Sequence, residues 1–404
     1  MDILDAYYKK TIDFTFQDKK LKFKVSQALF SSHIIDSGTQ RLLRTFMNSN
    51  GFFNKILDLG CGYGPIGITL KTLYPNSEIH MVDRDALALE YAQINAGLNK
   101  TNNYKIYASL GYDSVDTKDF DLIISNIPAK VGKNVLSHML IDSKYFLSND
   151  GFVAIVVVDA ILEDVKDILS NPEIEIVLQK SWPGHTVFHY KFNSPHTSKV
   201  NTVVNSFDSG LYDRDENTLK IGGKEAVLKS SFNLPEFDEM SYETQMLLNN
   251  VTDIKNQNIS NCLVFNVNQG HIPVAITLLT KVDKMIVVDR NLQSLKVTER
   301  NLINNGFLKE NIIVKHQVGI SINLSKIDCV VGILNKKDER SVNDLTIDQI
   351  VSQLTDKGVA YIVSSSNIIT QIERKIKKVK ELQTIKRIRY KGDSFISFKF
   401  KSKK

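Results

Sequence analysis

Cysteine, tryptophan and proline are scarce in this chain of 404 residues, with three Cys, one Trp and eight Pro. Cys61, Cys262 and Cys329 lie far apart in sequence and have no metal-ligand spacing, so no metal site is implied. Three isolated thiols suit a reducing, cytoplasmic setting. Long apolar runs are also missing. No segment approaches the roughly 18 residues that cross a bilayer, and Met1–Lys10 carries charge where a leader peptide would have an apolar core. A soluble protein without membrane contact is expected, and a monomer. Net charge is small, at +6, but unevenly spread. Through residue 200 there are 21 basic and 22 acidic side chains, so the excess belongs to the second half. Much of it falls in RKIKKVKELQTIKRIRYK, a helix-like basic run that permits a polyanionic partner.

The length fits two domains of about 200 residues each. Short β-branched segments, ILDLG, EIHMVD, DLIISN and FVAIVVV, alternate with segments of helical spacing, IGITLKTLY and ALALEYAQINAGLN. Such alternation predicts an α/β fold with a parallel sheet flanked by helices. The second half repeats the plan. GITLKTLY answers to AITLLTK, HMVDRD to IVVDRN, YAQINAGLN to VTERNLINNGF and TQRLL to TQMLL, at offsets of 205 to 208 residues. A period that long marks a duplicated domain and not a solenoid. The spacing predicts domains at 1–195 and 200–404, joined through FNSPHTSKVN at 192–201. Each opens with a hairpin-like segment, TIDFTFQDKKLKFKV in the first copy and the region of NTLKIGGKEAVL in the second.

In the first copy Asp58 ends a strand, and Gly60, Gly62 and Gly64 follow before a helix. Glycines let a backbone turn sharply and approach a ligand, and the helix offers free N–H groups. Dinucleotide-binding loops share that logic but need a third glycine three residues after the second. That position is Pro65, so the pattern here is G-x-G-x-G. Asp83 ends the next strand, where a carboxylate can accept hydrogen bonds from two ribose hydroxyls.

Taken together, FSSHIIDSGTQRLL at Phe30–Leu43, LDLGCGYGPIG at Leu57–Gly67 and NIPAKVGK from Asn126 resemble, in order, the motifs of the small-domain class I methyltransferases. That family includes the ribosomal RNA guanine-N2 enzymes. The resemblance runs from about Lys22 to Tyr190 and implies a Rossmann-like domain using S-adenosylmethionine. It implies that Gly38 and Thr39 help hold the methionine end, that Asp58, Gly60, Gly62 and Gly64 form the cofactor loop, and that Asp83 binds ribose. Ser109 stands beside the adenine position. Asn126 and the carbonyl of Ile127 would accept the two hydrogens of an exocyclic amine, with Pro128 fixing the loop, so that catalysis is mainly positioning. Ala129 stands where many base-modifying relatives carry a stacking aromatic. Tyr63 and Trp182 are the other aromatics considered, and each is expected to pack.

The second copy reads VFNVNQGHIPVAI at the equivalent loop. At an offset of 208, Asn266 replaces Asp58, Asn268 replaces Gly60, Ile272 replaces Gly64, and Gly270 remains; at an offset of 207, Ile333 replaces Asn126. The expectation is two tandem Rossmann-like domains, the second degenerate and serving RNA recognition or support. The function expected is methyl transfer to an exocyclic base amine, guanine N2 of ribosomal RNA first. Methylation of a protein glutamine or adenine N6, and a non-catalytic RNA-binding assembly factor, are the alternatives.

Overall fold

A computed structural model describes residues 2–47, 52–193, 205–255, 257–322 and 326–401. It divides into two compact units, Tyr8–Tyr212 on one hand and Met1–Tyr7 with Asp213–Lys404 on the other. Most of the expected joint, residues 194–201, lies outside the described residues.

The first unit begins with an antiparallel hairpin, Tyr8–Phe16 against Lys19–Ser26. Its seven-stranded sheet runs, in space, Tyr104–Ala108, Glu78–Asp83, Lys55–Leu59, Phe120–Asn126, Leu147–Val158, His185–Phe192, Ile174–Trp182. The first five are parallel, and His185–Phe192 is antiparallel to both its neighbours. Counted along the chain, the order is 3-2-1-4-5-7-6, and it reverses direction at Lys55–Leu59, where ligands bind in open α/β sheets. The central parallel strands are apolar because helices cover both their faces, so Ile56, Leu57, Ile123, Ile124, Ala154 and Val156 are all buried.

The second unit has the same plan. A hairpin of Asp213–Ile221 and Lys224–Ser231 precedes a sheet ordered Ile312–His316, Lys281–Asp289, Asn258–Phe265, Ile327–Ile333, Leu354–Ser365, Asp393–Phe400, Leu382–Tyr390. The α/β tandem read from the sequence is therefore present as two seven-stranded sheets.

The strongest echo between the halves has a local cause. Asn95 accepts from the Lys24 amide (2.7 Å) and donates to the carbonyls of Lys24 and Tyr63 (3.0 Å each). Asn99 makes the matching pair of bonds to Lys22. Asn301 and Asn305 repeat both pairs on Lys229 and Val227. These asparagines satisfy hairpin backbone groups that would otherwise lack partners, so both copies need them. TQRLL and TQMLL coincide for a similar reason. Asp36 caps the helix Ser37–Arg44 by accepting from Thr39 N, and Ser241 caps Tyr242–Asn250 by accepting from Thr244 N.

Two readings of the sequence are corrected. Met1–Tyr7 belongs with the second unit and not with residues 8–195, because the helix Ile3–Tyr7 buries Ala6 there. Tyr7 Oη donates to Asp338 (3.2 Å), and Ser341 Oγ donates to the Ala6 carbonyl (3.2 Å). At the other end the first unit runs on to Tyr212, since Ser206 N donates to Asp113 (2.7 Å) and Tyr212 is buried. The basic run is helical only to Lys378; Leu382–Tyr390 is the edge strand of its sheet. Among the described residues no helix is long and apolar enough to cross a membrane.

Candidate active site

The buried strand Lys55–Leu59 delivers Asp58 to the carboxyl edge of the sheet, and the chain then turns through three left-handed glycines. Gly60, Gly62 and Gly64 have φ of 77°, 55° and 89°. A Cβ at Gly60 or Gly62 would meet no atom within 4 Å, so these two border open space. Gly64 is the N-cap of the helix Pro65–Leu73, where a Cβ would strike Ile68. Asp83, ending the neighbouring strand, accepts from Gly62 N (2.9 Å) and from Asp85 N (3.0 Å), which ties the loop to the second strand.

Asp58 is fully buried. One carboxylate oxygen accepts from Gly67 N (2.8 Å), while the other, also buried, has no partner. Burial pushes its carboxyl up to about 7, against the lowering effect of the Gly67 amide and with a further rise from the Asp83 charge. An acid half-satisfied beside a glycine cradle that side chains would fill suits a ligand carrying a cationic amine and a ribose. The residues present thus fit S-adenosylmethionine.

Asn126 ends the strand Phe120–Asn126. Its amide nitrogen donates to Asp36 Oδ2 (2.9 Å) and Thr39 Oγ1 (3.0 Å). With both hydrogens engaged, the side-chain oxygen is left as a free acceptor. Ile127 is buried and anchored by its N–H to the Val156 carbonyl (3.0 Å), and Pro128 and Ala129 are exposed after it. Ser125 Oγ donates to the Leu59 carbonyl (2.7 Å), locking this strand end to the start of the glycine loop. Gly38 lies in the same helix as Thr39, and a Cβ there would come within 2.7 Å of His185.

The structure therefore brings Gly38, Thr39, Asp58, Gly60, Gly62, Gly64, Asp83, Asn126, Ile127 and Pro128 to one edge of one sheet. Ser109 is the exception in kind. It follows from Asp83 through a backbone bond (3.0 Å), but its hydroxyl donates to Gly111 O (2.7 Å) and accepts from Ser114 N (3.0 Å). The side chain holds a turn, which leaves only its backbone to face a ligand. Tyr63 is buried, with its hydroxyl on the Ser31 carbonyl (3.2 Å) and its ring edge-on to Phe23, and packs as expected. Asp36 was not singled out from the sequence as a site residue. Its signal was the helix-capping position three residues before Thr39.

The second unit shows how the same edge is closed. Asn266, Asn268 and Gly270 have φ of 52°, 47° and 84°, and Gly270 is the N-cap of the helix His271–Leu279. They therefore stand where Gly60, Gly62 and Gly64 stand, at an offset of 206 rather than 208. Strand pairing agrees: Val264 lies opposite Val287 as Asp58 lies opposite Met81. The acid has become valine, and two side chains occupy the glycine positions. Asn266 Nδ2 donates to the carbonyl of Ile333, the residue in place of Asn126 (2.7 Å). Thr244, in place of Thr39, donates to buried Glu236 (2.6 Å), whose other oxygen lies 3.2 Å from His271. Burial raises the Glu236 carboxyl, but contacts from His271, Ser241 and Thr244 outweigh it and hold the acid low. Internal partners thus take up positions that border open space in the first copy.

Residues 20–194 match the family model described as the methyltransferase small domain. An uncharacterised Bacillus subtilis protein is 34% identical over 150 residues, which are 37% of this chain and 74% of that protein. A ribosomal RNA small subunit methyltransferase C of Haemophilus influenzae is 38% identical over 132 residues (32% of this chain, 39% of that one). Its counterpart in Buchnera aphidicola subsp. Baizongia pistaciae is 29% identical over 191 (47% and 53%). The chain thus matches about half or less of the length of these two RNA-modifying relatives. A Thermus thermophilus 16S rRNA N2 G1207 methyltransferase, solved with S-adenosylmethionine and guanosine, superposes with a TM-score of 0.68 at 13% identity. That match covers 99% of this chain and 100% of the other, a likeness of fold. With its motifs in order on one sheet edge, and the Bacillus protein matched over most of its length, this chain belongs to the small-domain family of S-adenosylmethionine-dependent methyltransferases.

Proposed function

We propose that the first unit methylates the exocyclic amine of a nucleobase in RNA, guanine N2 of ribosomal RNA, and that the second unit contributes RNA recognition or support. The observation that carries this reading is the fixed amide of Asn126. Asp36 and Thr39 hold its nitrogen, so Oδ1 and the Ile127 carbonyl form a pair of acceptors for the two hydrogens of a planar amine. Those two bonds would leave the nitrogen lone pair out of the base plane and open to an incoming methyl. S-adenosylmethionine, when bound, supplies a sulfonium methyl. The glycine loop, Asp58 and Asp83 would hold it so that the methyl passes from sulfur to the amine nitrogen, whose surplus proton would leave to water. Positioning of this kind needs no strong base. Asp83 is placed to accept from ribose hydroxyls, and the Asp58 oxygen without a partner suits a cationic amine.

The names of the Haemophilus and Buchnera relatives support ribosomal RNA as the substrate. In the second unit Arg374, Lys378, Lys386 and Arg389 are exposed and carry no ion pair among the described residues. Phosphate contacts of that kind position RNA without reading sequence and weaken with salt. Lys375, Lys377 and Arg387 are instead engaged by Asp348 and Glu373, so fewer cations are available than the sequence suggests. On this reading the protein works as a cytoplasmic monomer.

The test is methyl incorporation into separated rRNA, tRNA and protein fractions, with the modified nucleoside identified by mass spectrometry. N2-methylguanosine in rRNA is expected. Asn126→Ala should abolish it while cofactor affinity stays within a few-fold. Label in protein glutamine or in N6-methyladenosine would move the substrate elsewhere. Wild-type turnover of Asn126→Ala would remove the proposed role of the amide.

A further inference from the structure

The one tryptophan of the chain sits at the reacting edge of the first sheet, yet nothing in the site uses it. Trp182 ends the strand Ile174–Trp182 and pairs with His185 across the turn Pro183–Gly184. Along the register Asn126 pairs with Val156, Val156 with Val187, and Val158 with His185. Trp182 is therefore at the same carboxyl edge as Asn126, two residues further along and three strands, about 14–15 Å at ordinary strand spacing, to the side. A base held at Asn126 cannot reach it. A few nucleotides of the same extended strand can.

The ground between the two residues is continuous. Thr39 bonds Asn126, and Gly38 leaves room for His185, which a Cβ there would strike. Arg41, on the same helix, reaches His185 Nδ1 (2.9 Å) and the Pro183 carbonyl (2.7 Å), and its guanidinium lies 5.8 Å from the centre of the Trp182 ring. The Lys180 ammonium lies 5.2 Å from that ring. Neither cation is paired with a carboxylate among the described residues, Lys180 is exposed, and Trp182 is half-buried. A ring needed only for packing would be covered by apolar neighbours. This one is attended by two cations that lack counter-charges, at the edge where substrate enters. An aromatic face for stacking beside cations for phosphate is the chemistry of single-stranded nucleic-acid contacts.

We propose that Trp182, with Lys180 and Arg41, binds a nucleotide flanking the methylated one. Its base takes the place of the Lys180 ammonium against the indole, and the displaced ammonium meets the adjoining phosphate. The proposal rests on the RNA reading of the active site. It also supplies, to the side, the stacking surface that Ala129 does not provide next to Asn126.

Because Trp182 is the only tryptophan, its emission reports on the stack directly in the unaltered chain. A short single-stranded RNA oligonucleotide should quench it to saturation, whereas heparin, a polyanion without bases, should not. Trp182→Leu and Lys180→Ala should each raise KM for rRNA and weaken binding of labelled RNA, by about 5- to 100-fold for the tryptophan. Melting temperature and cofactor dissociation constant should stay at wild-type values, which separates lost contact from lost folding. RNA that binds without quenching, or a Trp182→Leu protein with unchanged KM, overturns the proposal while leaving the methylation reading intact. A wild-type chain that neither binds nor methylates RNA overturns both.

Discussion

Replacing Asp36 with alanine removes two hydrogen bonds that serve different ends. One is the cap to Thr39 N (3.1 Å), whose loss costs about 1 kcal/mol of stability. For a unit of this size that is a fall of about 2–4 °C in melting temperature. The other holds the Asn126 amide (2.9 Å) and is charge-assisted, so it contributes about 1.5–3 kcal/mol. Without it only Thr39 opposes rotation of the amide. A rotated Asn126 presents a donor to an amine that needs an acceptor. At 1.4 kcal/mol per decade, single-turnover methyl transfer should slow by about 10- to 100-fold, with the cofactor dissociation constant little changed. Asp36→Asn separates the effects, since asparagine caps helices as well as aspartate does. Its melting temperature should be near wild type and its rate still reduced, because the charge is gone. An Asp36→Ala enzyme with a wild-type single-turnover rate would refute the orientation of Asn126 by its neighbours.

Three further outcomes follow from the site and its surroundings. Gly62→Ala meets no atom but takes a left-handed φ of 55°, so it should cost about 1–2 kcal/mol in a denaturant melt while lowering cofactor affinity by far more. Equal affinity by calorimetry would mean the cradle is not a binding surface. In the ligand-free protein, Asp58 binds its proton more tightly folded than unfolded, so its stabilisation is full below 3.8 and lost as pH rises through about 7. Asp58→Asn should remove that component from the urea midpoint, and cofactor affinity in the wild type should improve as pH passes 7. His189 works in the opposite sense: burial between Phe46 and Phe152 lowers it from 6.5 to about 4. Its contribution is present above 6.5 and lost as pH falls through 4, so His189→Phe should flatten the acid limb of the stability profile. An unchanged limb would assign acid sensitivity elsewhere.

Much of this was legible in the chain. Buried parallel strands are apolar on both faces and cannot be mistaken for amphipathic ones, and three glycines before a helix have few other uses. What escaped notice had physical reasons. The helices Pro65–Leu73 and His271–Leu279 are apolar nearly all round, so their letters match at 208 as well as at 206. The left-handed turn, which fixes the register, is tolerated by asparagine, so two of its three glycines are gone, and Gly270 aligns with Gly62 at 208 as readily as with Gly64 at 206. The edge strand Leu382–Tyr390 is exposed along most of its length and carries Lys386, Arg387 and Arg389, so no apolar period of two shows in its sequence. Asp36 escaped notice because its bond to Asn126 joins residues 90 apart and leaves no trace in local pattern.

The helix Ile3–Tyr7, fastened to Asp338 and Ser341, makes the first unit an insertion within the second. Emerging from the ribosome, those opening residues must wait through more than three hundred others for the surface that receives them, while the methyltransferase unit can close meanwhile. A substitution that loosens Ile3–Tyr7 should therefore be felt in the second unit first, although the first unit follows it directly in sequence.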